Sequence, residues 1–278
     1  MAPAESQATD LTFIHLTDLH LLATEDAHLN GQYPLRKVHA ILERVHAMEI
    51  SPDFWLITGD LVNNGQPAEY QVVNTLLEEL RKVGAPVLLG MGNHDSRIPF
   101  YEVVLGQSGA SERPYYYSVQ IGGVNLIMLD SQVPNAVHGH LDQAQLAWLA
   151  TELARPTPHG HLIALHHPPV HSTVALLDSI MLVNPDDLAA VIAPHNNILG
   201  ILSGHIHYSH ITRFHNTVSI TTPAALYTID PGVQKNFRTL SSFGFAVGTI
   251  RNGQLFMNPI MMPGIEIELE YRQWQEEG

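Results

Sequence analysis

The chain has 278 residues, of which 45% are hydrophobic and 14% are charged, and it contains no cysteine. This length suits one large α/β domain, and the absence of cysteine excludes thiolate metal sites, cysteine nucleophiles and a disulfide framework. The 13 Lys and Arg residues against 27 Asp and Glu residues give a formal net charge of -14, which disfavours a broad binding surface for long nucleic acids or anionic membranes.

The N-terminal residues 1–10 are expected to be disordered. The segment MAPAESQATD lacks the basic and apolar regions of a secretion signal. No stretch of the chain approaches the roughly 20 consecutive apolar residues that a membrane-spanning helix needs. We therefore expect a cytoplasmic protein without a membrane partner.

The segment that follows predicts three strands, each ending in polar residues. The strands are expected over Leu11–Leu16, Phe54–Thr58 and Pro86–Met91, with helices over Leu35–Ala47 and about Ala68–Val83 between them. This alternation is typical of a sheet built from βα units. Because ligand groups gather at the carboxyl ends of strands in such sheets, we expect the polar residues there to form one site.

Further along, the sequence predicts a hairpin, a helix and two more strands. The hairpin strands Tyr115–Gln120 and Val124–Leu129 turn at two glycines, and Gln143–Leu153 is predicted to be helical. The strands Leu162–Leu165 and Ile198–Leu202 each run into a loop that contains histidines. Three later segments alternate like antiparallel strands of a second sheet, namely Thr217–Ile220, Gly244–Ile250 and Gln254–Met257.

The C-terminal segment, residues 259–278, alternates Glu266, Glu268 and Glu270 with apolar residues. This pattern predicts an edge strand or an arm to the partner subunit of a homodimer, and the sequence does not decide between them. No linker long enough to split the remainder is present. We therefore assign residues 11–258 to one domain.

Five polar clusters each follow a predicted strand. In chain order they are Asp18-x-His20, Gly59-Asp60, Gly92-Asn93-His94-Asp95, His166-His167 and Gly204-His205-x-His207. Each cluster alone is weak evidence, since Gly-Asp pairs are typical of turns. Together they indicate one site of carboxylate, amide and imidazole groups, a ligand mixture that suits Mn, Fe, Zn or Co. The 18 histidines of the chain favour the same chemistry.

The five ordered clusters resemble those of the calcineurin-like metallophosphoesterase superfamily, within its branch of class III cyclic-nucleotide phosphodiesterases and glycerophosphodiesterases. The resemblance covers roughly residues 11–210. It implies an α/β fold in which a metallophosphoesterase-type β-sandwich of two mixed sheets is flanked by helices. It also implies that two divalent or mixed-valence metal ions bind at strand ends.

The resemblance further implies a role for each cluster. Asp60 would bridge the two ions, which need a shared anionic ligand when they lie about 4 Å apart. A metal-bridging hydroxide would attack phosphorus, and His94 would contact the phosphoryl group and supply a proton to the leaving oxygen without binding metal. The implied ligands are Asp18, His20 and His207 for one ion, and Asn93, His166 and His205 for the other. Asn93 is also expected to contact the substrate.

Five more residues are expected near the site, each with an alternative role. His167 would support a ligand or the core, because successive side chains of an extended segment diverge. Asp95 would orient a neighbouring group through a hydrogen bond or cap a helix. Asn63 resembles a substrate-contacting position and suits a turn equally well. His138 and His140 match a region that lines the substrate pocket in cyclic-nucleotide phosphodiesterase relatives, the alternative being a solvated loop.

These observations predict a metal-dependent phosphoric diester hydrolase that acts on small phosphodiesters such as cyclic nucleotides or glycerophosphodiesters. A phosphomonoesterase or nuclease on the same scaffold is the alternative, because the metal ligands alone do not distinguish them. The acidic balance of the chain disfavours long nucleic acid as a substrate. A non-catalytic protein-binding scaffold is disfavoured, because every implied ligand position and His94 are present.

Overall fold

The computed structural model describes residues 10–109, 112–233 and 235–272. Apart from residue 10, the predicted disordered segment 1–10 lies outside these ranges, as do residues 273–278 of the C-terminal segment. The strands of the described part are β1 (Leu11–Leu16), β2 (Phe54–Thr58), β3 (Val87–Gly90), β4 (Tyr117–Ile121), β5 (Val124–Met128), β6 (His161–Ala164), β7 (Ile198–Ser203), β8 (His210–Phe214), β9 (Thr217–Thr221), β10 (Thr228–Ile229), β11 (Phe237–Leu240), β12 (Gly244–Arg251), β13 (Gln254–Met261) and β14 (Glu268–Arg272).

The helices lie mainly between the strands. A π-helical turn over Phe100–Val104 continues α3, and a 3₁₀ helix covers Ala175–Ile180. Within the described ranges, no helix combines the length and the apolar character that crossing a membrane requires. The α-helices are α1 (Pro34–Ala47), α2 (Pro67–Arg81), α3 (Arg97–Pro99), α4 (Gln143–Leu153) and α5 (Pro185–Ile192).

Two mixed sheets form the centre of the fold. The first has the order β13-β12-β1-β2-β3, in which β1, β2 and β3 are parallel. The second has the order β4-β5-β6-β7-β9-β8, in which β5, β6, β7 and β9 are parallel. The parallel strands of each sheet therefore end at a common edge, where the loops that follow them meet.

The two sheets face each other across an apolar layer. Phe13 and Leu56 of the first sheet pack in one buried cluster with Leu126 and Leu162 of the second. Helices α1 and α2 cover the outer face of the first sheet, and α4 and α5 cover that of the second. This architecture confirms the predicted α/β fold, a β-sandwich of two mixed sheets flanked by helices.

The start of α2 orders the loop that precedes it. Pro67 occupies the first turn, where its missing N–H removes no helical hydrogen bond. Gln66 and Glu69 form a reciprocal capping box. The Glu69 carboxylate also accepts a hydrogen bond of 3.0 Å from the backbone N–H of Asn64. The loop between β2 and α2 is thereby fixed next to the strand ends.

The prediction that three downstream segments are antiparallel strands of a second sheet is correct only in part, because β9 lies in the second sheet, antiparallel to β8, whereas the antiparallel pair β12 and β13 belongs to the first. β9 pairs in parallel with β7, whereas β12 pairs antiparallel with β1 and carries β13 beside it. Alternation along a strand shows which side chains share a face, but it does not identify the neighbouring strand. Close packing supports β12 next to β1, because a Cβ at Gly248 would meet the ring of Phe13, its cross-strand partner.

The C-terminal segment takes part in two sheets. β13 belongs to the first sheet and runs across residue 258, the predicted domain boundary. β14 lies at the edge of a three-stranded sheet of order β10-β11-β14 and pairs antiparallel with β11. Ile265 and Ile267, between these strands, are 89% and 59% exposed.

Candidate metal centre

The five polar clusters meet at one end of the sandwich. Asp18, Asp60 and Asn93 follow β1, β2 and β3 of the first sheet, and His166 and His205 follow β6 and β7 of the second. The backbone N–H of His205 donates to an Asp18 carboxylate oxygen at 3.0 Å although the two residues are 187 positions apart. The site therefore forms only when the two sheets pack together, and no single local motif forms it.

A left-handed backbone is a shared feature of the site. Such a conformation costs a non-glycine residue about 1 to 3 kcal/mol, so the surrounding structure must hold it in place. The left-handed conformation turns the chain sharply just after each strand ends. The residues concerned are Asp18, His20, Asp60, His205 and His207, with φ of 53°, 47°, 47°, 72° and 61°.

Two motif glycines allow the carboxylates to pack closely against backbone. A Cβ at Gly92 would meet the Asp60 carboxylate. A Cβ at Gly204 would meet the Thr17 hydroxyl and, at 2.6 Å, a carboxylate oxygen of Asp18. A larger residue at either position would displace a carboxylate of the site.

The first ligand group consists of Asp18, His20 and His207, whose ligand atoms all lie within 4.8 Å of one another. His207 Nε2 lies 3.3 Å from Asp18 Oδ1 and 3.2 Å from His20 Nε2. Burial opposes charge on Asp18, but the neighbouring His207 outweighs burial and lowers the pKa of this carboxyl. Burial lowers the pKa of His20 to about 3, so this ring is neutral and has a lone pair to offer.

Asp60 lies between this group and the second. Its Oδ2 is 3.7 Å from His20 Nε2 and 3.3 Å from His166 Nε2, and its Oδ1 accepts a 2.8 Å hydrogen bond from the backbone N–H of His94. Burial disfavours the charged carboxylate, yet His166 holds the pKa of Asp60 well below its usual range. Burial likewise opposes charge on His166, and Asp60 outweighs it and raises the pKa of His166 to about 9.

The second ligand group consists of His166, His205 and Asn93. His166 Nε2 lies 3.1 Å from Asn93 Oδ1 and 3.3 Å from His205 Nδ1. Burial and the charge of His166 lower the pKa of His205 to about 3. An amide oxygen and two imidazole nitrogens thus converge beside the Asp60 carboxylate.

Backbone carbonyls hold the outer nitrogens of three of these histidines. A carbonyl only accepts, so each outer nitrogen carries an N–H, and the inner nitrogen of each ring offers a lone pair to the site once it has lost its proton. Lone pairs that face one another beside two carboxylates need a cation between them, and this support of imidazole is typical of metal ligands. The donor set therefore fits divalent metal ions. The pairs are His166 Nδ1 with Thr58 O at 2.8 Å, His205 Nε2 with Ile180 O at 2.8 Å, and His207 Nδ1 with Tyr227 O at 3.0 Å.

His167 also comes within 4.8 Å of the ligand atoms of His166 and His205. Its Nε2, however, donates to the Val137 carbonyl at 3.0 Å, so its Nδ1 is the acceptor of the 2.8 Å contact with Ser131 Oγ. Both ring nitrogens are engaged, which favours a supporting role over metal ligation.

Asp95 ties the loops after β2 and β3 together. Burial and the charge of Asp60 raise the pKa of Asp95 to about 7. The residue that precedes α3 is Ser96, so Asp95 does not occupy the capping position of that helix. The Asp95 carboxylate accepts hydrogen bonds from the backbone N–H groups of Gly92, Leu61 and Val62 at 2.8, 3.2 and 3.3 Å and from the Tyr70 hydroxyl at 3.1 Å.

A cleft of about 540 Å³ opens beside the ligand groups and is lined in part by Asn63, Asn93 and His94. His94 Nδ1 donates to the Asn63 carbonyl at 2.7 Å. The His94 ring also lies edge-on to His20, with centroids 4.7 Å apart. The structure thus brings these three predicted substrate contacts together, with His94 Nε2 as the ring nitrogen that Asn63 leaves free.

His138 and His140 are not among the described residues that line this cleft. The loop that carries them packs on His167, because a Cβ at Gly139 would meet the His167 ring. The backbone N–H of His140 donates to Ser131 O at 2.9 Å. The loop therefore contacts the site through backbone, and substrate contact by the two side chains stays a prediction.

Tyr227 packs against the site although no sequence pattern predicts it there. Its ring centroid lies 4.5 Å from that of His207 and 6.2 Å from that of His20, on which it stacks. Within the described part of the chain, the buried Nδ1 of His20 has no hydrogen-bond partner, so ring packing supports this histidine instead. Burial raises the pKa of Tyr227 to about 12. No polar motif surrounds Tyr227 in the sequence, so the residue types carry no signal for it.

Comparison with known proteins identifies the family. The family model for calcineurin-like phosphoesterases matches residues 11–209. The chain belongs to the calcineurin-like phosphoesterase family. This match confirms the predicted phosphoester hydrolase. Members of the family use a dinuclear metal site, and this chain has clustered His and Asp residues that could hold metal ions.

Related proteins are named as phosphodiesterases. A cAMP/cGMP dual specificity phosphodiesterase of Mycobacterium tuberculosis is 35% identical to this phosphoesterase over 231 residues, which cover 82% of this chain and 71% of the relative. A glycerophosphodiester phosphodiesterase of Enterobacter lignolyticus is 27% identical over 219 residues, or 77% of each chain. Among solved structures, a dimetal phosphatase from Danio rerio has a TM-score of 0.66 at 17% identity, covers 94% of this chain and 99% of its own, and supports the fold alone.

Proposed function

We propose that this phosphoesterase is a two-metal phosphodiesterase of small phosphodiesters such as cyclic nucleotides or glycerophosphodiesters. The position of Asp60 carries the proposal. Its carboxylate oxygen Oδ2 faces His20 of the first ligand group at 3.7 Å and His166 of the second at 3.3 Å. One anionic group shared by two ligand sets suits two cations held close together.

Three residues would hold each metal ion in the proposed centre, and Asp60 would contribute to both ions. Oxygen and nitrogen donors in this mixture suit Mn, Fe, Zn or Co. Bound ions of this kind offset charge on the phosphoryl oxygens and make a hydroxide nucleophile available near neutral pH. The proposed ligands are Asp18, His20 and His207 for the first ion, and Asn93, His166 and His205 for the second.

His94 is the proposed proton donor to the leaving group. Hydrolysis forms a bond between phosphorus and the oxygen of water, and it breaks the bond to the leaving alcohol, whose oxygen must gain a proton. The water loses one proton to solvent when it becomes the nucleophile and carries the other into the phosphate product, and His94 regains from solvent the proton that it gave to the alcohol. Because Asn63 accepts the Nδ1–H of His94 at 2.7 Å, the protonated ring donates from Nε2.

The cleft beside His94 supports a small substrate. Its volume of about 540 Å³ lies within the usual range of small-molecule sites, about 300 to 1,000 Å³. Among the described residues that line it, the one Lys or Arg side chain is Arg97, which is buried in an ion pair with Asp130 at 2.9 Å. A second phosphate group of a longer polymer would find no free Lys or Arg there. The names of the relatives in Mycobacterium tuberculosis and Enterobacter lignolyticus also favour small diesters.

A substrate panel tests this function. The protein would be chelated, reconstituted with Mn, Fe, Zn or Co, and assayed on cyclic AMP, a glycerophosphodiester, bis(p-nitrophenyl) phosphate and p-nitrophenyl phosphate. We expect chelation to abolish turnover, metal to restore it, and the diesters to have the higher kcat/KM. A higher kcat/KM for the monoester would favour the phosphomonoesterase alternative, and full turnover after complete chelation would contradict the two-metal centre.

A further inference from the structure

A buried glutamine holds both ends of the segment that carries Asn93 and His94. Gln132 Nε2 donates to the Gly92 carbonyl at 3.0 Å and also to the Asp95 carbonyl. Gly92 and Asp95 are the residues directly before and after Asn93-His94, so one carboxamide spans the segment. The Gln132 residue is 8% exposed and also lines the cleft beside His94.

Gln132 is itself anchored to the second sheet. Its backbone N–H donates to Asp130 Oδ1 at 2.9 Å, and its carbonyl accepts a hydrogen bond of 2.8 Å from Arg97. Arg97 Nε donates in turn to Asp130 Oδ2 at 2.9 Å, in a buried ion pair. Gln145 of α4 exchanges two hydrogen bonds with the Asp130 backbone, at 2.7 and 2.8 Å. The carboxamide of Gln132 therefore projects from a rigid loop.

The Asn93-His94 segment follows β3 and thus belongs to the first sheet. Asp60 and Asp95 hold it from that side, through the backbone N–H groups of His94 and Gly92 at 2.8 Å each. Gln132 follows β5 and holds the same segment from the second sheet. The orientation of His94 is thereby set by contacts with both halves of the sandwich.

The chemistry of the contact requires a donor at position 132. Both partners are carbonyl oxygens, and a carboxamide nitrogen offers two N–H groups to them. A glutamate would bring a carboxylate against two carbonyls, whereas a methionine would keep the length of the side chain and remove both donors. These substitutions therefore separate hydrogen bonding from packing.

We propose that Gln132 is a positioning residue that orients His94 toward the leaving oxygen of the substrate. This inference rests on the proposed function, because it concerns proton delivery in phosphodiester hydrolysis. A shift of about 1 Å in a reacting group costs up to about 100-fold in rate. Proton delivery matters most for a poor leaving group such as an alkoxide and least for a nitrophenolate, which leaves as a stable anion.

The test compares Gln132→Met and Gln132→Glu with Gln71→Met, a matched control on an exposed position of α2. Turnover would be measured with excess metal on a glycerophosphodiester and on bis(p-nitrophenyl) phosphate. We expect Gln132→Met to lower kcat for the substrate with the alkoxide leaving group about 10-fold more than for the substrate with nitrophenolate, with KM little changed. Gln132→Glu should lower kcat for the alkoxide leaving group by at least as much. Gln71→Met should leave both rates unchanged. The ratio of the two rates does not depend on the folded fraction.

His94→Ala separates this inference from the proposed function. If His94→Ala lowers both rates equally, His94 is not the proton donor and the proposed role of His94 fails. If His94→Ala shows the leaving-group dependence but Gln132→Met lowers both rates equally, or lowers neither, the positioning role is overturned. A double variant supports the inference when Gln132→Met adds no further leaving-group dependence to His94→Ala. If Gln132→Met is slower than the wild type at limiting metal but equals it in excess metal, its effect belongs to metal binding at Asn93, and the inference is also overturned.

Discussion

The Nδ1 of His94 lies 2.7 Å from the backbone carbonyl oxygen of Asn63, and this contact assigns the N–H of the ring to Nδ1. Asn63 belongs to the loop after β2, which also carries Asp60. The carbonyl that holds the proposed proton donor His94 and the proposed shared ligand Asp60 therefore lie on one short segment. A displacement of this loop would affect metal binding and proton transfer together.

His94→Ala is expected to keep both metal ions and to lose turnover. General acid catalysis by a positioned side chain contributes about 10² to 10⁴-fold, so the loss should approach this range for diesters with alkoxide leaving groups and be smaller for nitrophenolate. Metal content measured by mass spectrometry and rates on both substrates check the prediction. An unchanged rate on the alkoxide substrate would remove His94 from the mechanism.

Asp60→Asn is expected to remove most bound metal and nearly all turnover. The amide has the size of the carboxylate but no charge, so it cannot serve as the anionic group between two cations. Metal content and kcat of the purified variant check this expectation. Asp26→Asn, at a side chain that is 86% exposed, is the matched control and should behave as the wild type. Full metal content with a wild-type rate in Asp60→Asn would show that no shared carboxylate is needed.

Gly204→Ala is expected to weaken metal binding at the first ligand group. The new Cβ would meet the Thr17 hydroxyl and the Asp18 carboxylate, so one of these side chains must move. Gly264→Ala is the control, because a Cβ there would meet no atom within 4 Å. Metal affinity measured by competition with a chelating dye should fall for the first variant alone. Equal affinities in the two variants would contradict the close packing around Gly204.

His15 makes stability depend on pH. It is buried beneath the site, with Nε2 2.9 Å from Thr58 Oγ1 and Nδ1 2.7 Å from Thr222 Oγ1. Burial lowers the pKa of His15 to about 3, whereas the unfolded chain binds this proton at the ordinary value of about 6.5. The unfolded state therefore holds the extra proton between about pH 6.5 and about pH 3, so this contribution to stability is present above pH 6.5 and is lost as the pH falls through the window.

His15→Gln keeps a polar side chain at this position but cannot titrate. Its free energy of unfolding should fall less steeply on acidification than that of the wild type, by up to about 1.4 kcal/mol per pH unit. Denaturant unfolding at several pH values between about 7 and 5 measures both slopes. Parallel slopes would show that His15 does not bind its proton differently in the folded and unfolded states.

The sequence predicts the residues of the proposed metal centre, and the structure brings them together, because their types and spacing are themselves the signal. Asp18 and His207, for example, are recognised from short motifs that each follow an apolar strand. The left-handed backbone of these residues is not predictable from their types, because it is imposed by packing between the two sheets. Tyr227 was missed because its contacts with His20 and His207 come from the path of the chain after β9 and not from a local pattern.

Strand pairing is also not predictable from local sequence patterns. The alternating pattern predicts a strand over Gly244–Ile250, and the structure has one over Gly244–Arg251, but only the tertiary structure places it beside β1. Gln132 likewise lies in no motif, and its importance emerges only where its carboxamide meets the loop after β3. The role of a residue that acts through a neighbour distant in the chain cannot be predicted from a local pattern in a single sequence.

Metal titration of the chelated protein tests the two-metal centre most directly. Turnover of a small phosphodiester would be followed while metal ions are added and bound metal is counted per chain. Activity should reach its plateau only at about two bound ions per chain, as two ligand groups that share Asp60 require. A plateau at one bound ion, or turnover that does not change with added metal, would contradict it.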